Sequence, residues 1–100
     1  MSYQVVFTPS AQQDLIKARQ FYAKVDQQLG RYCADSLVLD TERLAFFAGI
    51  HPVVFGYYRM LARTFPYSIY YKIIDGQVVV NAIIDNRRQP KSLVNRLLDR

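Results

Sequence analysis

Hydrophobic residues recur along this chain with two different periods, and the change of period separates a helical first half from a stranded second half. Val5, Val6 and Phe7 lie together in the segment Tyr3 to Thr8, a run that predicts a short strand ended by Pro9. Ala11, Leu15, Ala18, Phe21, Tyr22 and Val25 then follow at three- and four-residue steps, which is the spacing of one apolar helix face. Thr8 with Pro9 in the first turn, or Ser10 with Gln13 three residues on, starts this helix, which runs to about Asp26. A second stripe, Tyr32, Cys33, Leu37, Leu44, Phe47 and Ala48, begins near Leu29 and Gly30 and is stopped by Gly49. The short polar link Asp26-Gln27-Gln28 folds the two into an antiparallel helical hairpin.

The period shortens after a loop over 50–56, which holds Pro52 and Gly56. Strands are predicted over Tyr57 to Arg63, Phe65 to Ile74 and Gln77 to Asp85, the last two joined by Asp75-Gly76, the dipeptide that a two-residue type I′ turn favours. Alternation puts Phe65, Tyr67, Ile69, Tyr71 and Ile73 on one face, with Tyr58, Met60 and Ala62, and with Val78, Val80, Ala82 and Ile84 sharing one side of the last strand. The opposite face then carries Arg59, Arg63, Tyr70, Lys72 and Asn81, with Arg87 and Arg88 just beyond it. Lys91 to Arg100 reads as a short amphipathic helix built on Leu93, Val94, Leu97 and Leu98. The expected fold is α+β: an N-terminal strand, an antiparallel helical hairpin, a three-stranded antiparallel meander and a short C-terminal helix, in one domain spanning residues 1–100.

Composition narrows the function classes. A chain of 100 residues that is 51% hydrophobic folds around one core and leaves no room for an interdomain cleft. The N-terminus has no basic region followed by an apolar run, and no apolar stretch approaches the ~18 residues that span a bilayer, so a cytoplasmic protein with no membrane partner is expected. Cys33 is alone and on a helical stripe, which makes it a core residue rather than a disulfide partner or nucleophile. His51, the single histidine, stands before Pro52 and reads as a loop or packing residue ahead of a general acid or base. Gly-rich phosphate loops and metal-ligand spacings do not occur, so neither cofactor nor metal is expected. The charge is more informative: the first fifty residues balance, and the whole net charge of +5 lies in the second half. Arg59, Arg63, Arg87, Arg88 and Lys91, with Tyr57, Tyr67 or Tyr70 as stacking surfaces, suit RNA, DNA or an acidic protein. The C-terminal stripe either closes the core or covers a groove for a partner's helix.

Several blocks resemble a known family. The run Phe65-Pro66-Tyr67-Ser68-Ile69-Tyr70-Tyr71, the Asp75-Gly76 turn, Val78-Val79-Val80 and Ala82-Ile83-Ile84-Asp85-Asn86-Arg87-Arg88-Gln89-Pro90 are similar to the C-terminal half of the RelE/ParE superfamily of type II toxin-antitoxin toxins. The opening Tyr3 to Ala11, with Asp14 and Leu15 in the helix that follows, resembles its N-terminus. The likeness covers nearly the whole chain, and the Phe-Pro-Tyr and Arg-Arg-x-Pro blocks are its specific parts.

Within that resemblance the residues favour one branch. Arg87 matches the arginine that follows the last strand in the RelE-type ribonucleases and would be catalytic there. Ser68, however, stands where those enzymes place a strand arginine, Leu93 where they often carry a tyrosine, and lysines are missing around His51 to Tyr58. A phosphodiester cleaver needs a proton-transfer group together with charge stabilisation, and only the second is evident. The resemblance therefore implies a ParE-like toxin that binds DNA gyrase and arrests growth, a binding protein rather than an enzyme. Its target-binding residues would be Arg59, Arg63, Tyr70, Arg87, Arg88 and Lys91. A cognate antitoxin would wrap the helical hairpin and sheet edge and engage Leu93 and Leu97, and the toxin could also pair as a homodimer or in a toxin-antitoxin hetero-oligomer. The alternatives are a ribosome-dependent mRNA endonuclease and a decayed toxin that retains only antitoxin binding.

Overall fold

The computed structural model describes residues 2–87 and 90–98, and the side chains of these apart from residues 90–93. The chain runs β1 (Gln4–Phe7), α1 (Pro9–Ala23), α2 (Gln27–Glu42), α3 (Leu44–Phe47), β2 (Val53–Val54), β3 (Tyr57–Leu61), β4 (Tyr67–Ile74), β5 (Gln77–Asp85) and α4 (Pro90–Leu98). Of the two start signals for α1, Thr8 is the one used: its hydroxyl accepts the Ala11 amide proton at 3.1 Å, and Pro9 supplies a first-turn φ that needs no donor. Asp26 caps α2 in the same way through the Gln28 amide at 2.8 Å, so this helix begins slightly earlier than its apolar stripe.

The second helix also ends sooner than expected. Thr41 donates its hydroxyl to the Val38 carbonyl at 2.7 Å, a back-bond that competes with the helical ladder, and the chain resumes only as the short α3 before Gly49. Gly30 lets the two helices approach closely: a Cβ there would lie 2.7 Å from the Arg19 carbonyl oxygen and 2.8 Å from the Ala23 Cβ. Ala11 and Ala18 of α1, Cys33 and Leu37 of α2, and Leu44 of α3 join Tyr67, Ile69, Tyr71, Val78, Val80 and Ile83 in the main core. Tyr32, Phe47, Phe21 and Val25, placed on the apolar stripes by sequence, remain largely exposed.

The described residues form one five-stranded sheet in the order β1-β5-β4-β3-β2. The meander is therefore larger than expected in two ways. β1 joins it as a parallel neighbour of β5, with Val5 opposite Val78 and Phe7 opposite Val80, which the excursion through the helical hairpin makes possible. Val53 and Val54, expected within a loop, pair with Tyr58 and Tyr57 as a short outer strand.

A register shift corrects the face assignment of β5. Tyr70 pairs with Ala82 but Tyr71 pairs with Val80, so Asn81 is an extra residue on β5. Each side chain beyond the bulge changes face: Ile83 turns into the main core, while Ala82 and Ile84 turn to the other side. That other side is not free of helices, because Leu97 of α4 packs there with Tyr57, Tyr70, Ala82 and Ile84 as a second small core. Among the described residues, no helix is long and apolar enough to cross a membrane.

Candidate target-binding face

On the sheet face opposite α1 and α2, β3 presents Tyr57, Arg59 and Leu61, and β4 presents Ser68, Tyr70 and Lys72. Arg59 sits directly across from Tyr70, and Leu61 from Ser68. The Arg59 Nε donates to the Ser68 Oγ at 3.1 Å, and the Ser68 hydroxyl donates in turn to the Asn86 Oδ1. Asn86 is fixed from the other side, its amide donating to the Pro66 carbonyl at 2.8 Å. The serine that occupies the place of a strand arginine in the ribonuclease pattern thus positions another arginine from the neighbouring strand. The Lys72 Nζ lies 4.6 Å from the centre of the Tyr57 ring, a cation held over an aromatic face.

Two of the expected site residues sit elsewhere than solvent. Tyr70 is only 2% exposed, because the bulge-shifted Ala82 and Ile84 and the incoming Leu97 close over it; its expected place on an open binding face is corrected accordingly. Leu97 is itself buried, and its carbonyl accepts the Tyr57 hydroxyl at 3.2 Å, so an antitoxin reaches it only by displacing α4. Arg88 lies outside the described residues, as do the side chains of Lys91 and Leu93.

The expected basic concavity is divided by the sheet. Arg87 turns toward α1, on the side away from Arg59. Its Nε and one terminal nitrogen contact the two Asp85 carboxylate oxygens at 2.9 and 2.7 Å, and its guanidinium carbon lies 5.5 Å from the Phe21 ring centre. The hydrogen bonds to the Asp85 carboxylate raise the Arg87 pKa further. Arg63 follows β3; its side chain is exposed while its amide donates to the buried Asp40 carboxylate at 3.1 Å, which also holds Arg43 at 3.0 Å. Ion pairs among the described residues are Arg43–Asp40, Arg87–Asp85 and Arg96–Asp14, so no carboxylate there neutralises Arg59, Arg63 or Lys72.

Other candidates resolve into structure. His51 contacts the buried Tyr71 hydroxyl through Nδ1, and the same hydroxyl accepts the Gly49 amide at 2.9 Å. Burial lowers the His51 pKa and raises that of Tyr71, so both groups are favoured in their neutral forms, with Nδ1 accepting a hydrogen bond from the Tyr71 hydroxyl. The Cys33 thiol is pushed up to about 11 by burial, which leaves it protonated and unreactive at neutral pH. Among the described residues no cluster of His, Cys, Asp and Glu is placed to hold a metal ion.

Sequence reasoning missed the polar residues that organise the face. Ser68, Asn86, Asp14 and Asp40 act through partners distant in sequence, and the signal available was a polar residue inside an otherwise apolar strand or helix stripe.

A parallel-edged sheet under a helical hairpin, with a short helix behind it and cations left on the far face, defines a domain of the RelE/ParE type. The sequence model of the family described as ParE toxin of type II toxin-antitoxin system, parDE, matches residues 5–90, and the chain belongs to that family. Its fold is similar to a chain of the chromosomal ParDE toxin-antitoxin system from P. aeruginosa, with a TM-score of 0.77 at 16% identity, covering 84% of this chain and 96% of that one. Comparison with curated protein sequences returns no match.

Proposed function

We propose that this type II toxin acts by binding DNA gyrase and that a cognate antitoxin neutralises it. The observation that carries this reading is the division of the basic residues. Arg87, which a ribonuclease would direct at the scissile phosphate, has its guanidinium fork closed on Asp85, whereas Arg59 and Lys72, on the sheet face opposite α1 and α2, have no carboxylate partner among the described residues. Such cations steer and fix an acidic partner surface, and the exposed Val53, Phe55 and Leu61 of the same β2–β3 hairpin supply the apolar contact that affinity requires. His51 is engaged with Tyr71 and lies on a different side chain cluster from Arg87.

The double variant Arg59→Glu with Lys72→Glu tests the face. Growth arrest by the expressed toxin is expected to be lost while the variant still forms a stable complex with its antitoxin. Undiminished arrest by the double variant contradicts the assignment.

A further inference from the structure

Two hairpins of this sheet turn through two residues with the same left-handed backbone. Asp75-Gly76 joins β4 to β5 at φ of 50° and 76°, and Phe55-Gly56 joins β2 to β3 at 52° and 83°. Positive φ at both central positions is type I′ geometry, which favours Asn or Asp followed by Gly. Asp75 satisfies that preference. Phe55 opposes it, since a bulky side chain at positive φ brings its Cβ against the following carbonyl.

Burial does not offset the strain. Phe55 keeps 46% of its surface exposed at the tip of the outermost hairpin, and Ile50 and Val53 nearby are exposed as well. A side chain that suits neither its turn nor the core is the kind of local conflict that a binding contact explains. The charge beside it indicates what the contact meets. Lys72 lies over Tyr57, two residues from the tip, and Arg59 follows two residues later on β3, both without a carboxylate partner among the described residues.

We propose that Phe55 is the aromatic anchor by which the toxin engages its protein target, entering an apolar pocket bordered by carboxylates on a folded partner. This rests on the reading of the chain as a toxin that acts through protein binding. A convex tip is received by a pocket on a folded surface, whereas a segment that wraps the toxin brings its own side chains into grooves. An antitoxin seated on this edge is the competing outcome, and the antitoxin titration below reads it. An exposed aromatic at the centre of a protein contact commonly dominates the binding energy.

The test compares wild-type protein with Phe55→Asn and Phe55→Tyr in thermal unfolding, antitoxin titration and growth arrest. Phe55→Asn relieves the turn and is expected to raise Tm by roughly 4–8 °C. It should also weaken arrest roughly 30-fold or more with antitoxin affinity unchanged, and Phe55→Tyr should keep arrest near wild type. Full arrest by Phe55→Asn overturns the anchor, as does an equal loss of antitoxin affinity or a lowered Tm. Absence of arrest by the wild-type toxin itself overturns the underlying toxin reading and with it the partner assigned to Phe55. Wild-type arrest with full-strength Phe55→Asn arrest overturns the anchor alone.

Discussion

Arg96 of α4 closes a two-pronged ion pair on Asp14 of α1, at 2.7 and 2.6 Å, across 82 positions of sequence. The same carboxylate accepts the Ile83 amide at 2.9 Å just past the β5 bulge, and Arg96 also reaches the Asn81 carbonyl at 3.3 Å. One acidic residue therefore ties the helical hairpin, the bulge and the C-terminal helix together. Replacing Arg96 with Met strands a mostly buried carboxylate, and stability should fall by about 1–3 kcal/mol. Urea unfolding measures the loss, and proteolysis should cut the C-terminal segment sooner than in the wild type. Unchanged stability and protection would show that α4 is held without the Arg96–Asp14 ion pair.

Gly30→Ala weighs helix propensity against close approach. Alanine in a helix interior gains roughly 0.5–1 kcal/mol over glycine. Here its Cβ meets the Arg19 carbonyl oxygen at 2.7 Å, and backbone cannot rotate aside. Overpacking of this kind costs about 1–3 kcal/mol, so the variant should be destabilised and α1 should separate from α2. A rise in Tm would contradict the contact.

Acid should weaken the fold through His51. Burial holds its folded-state pKa below the ordinary 6.5, so the unfolded chain binds the proton more readily than the folded one. The contribution is complete above pH 6.5 and is lost as the pH falls from there toward the lowered value. His51→Asn should flatten the stability profile over that window, read by thermal unfolding at a series of pH values. A slope unchanged by the substitution would place the acid sensitivity in another group.

Much of this architecture was legible in the chain because local rules operate where it was read. Thr8 before Pro9, the three- and four-residue spacing from Ala11 to Tyr22 and the Asp75-Gly76 turn each constrain backbone over a few residues. The misassigned half of β5 was not legible, because the one mark of the bulge, polar Asn81 within an apolar run, also fits plain alternation with Asn81 facing outward, and the residues on either side of it are apolar enough to satisfy either phase. That single extra residue moved Ala82 and Ile84 to the second face and buried Tyr70 beneath α4. The candidate site suffered from the same limit. Formal charge identified Arg59 and Arg87 together, but their fates depend on Ser68 and Asp85, which place one on each side of the sheet.

The most direct measurement is DNA supercoiling by purified gyrase with increasing toxin, alone and with equimolar antitoxin. Supercoiling should stop, cleaved DNA should accumulate on the enzyme, and antitoxin should restore activity. Gyrase left untouched at large toxin excess, with cellular transcripts cut instead, would contradict gyrase as the target.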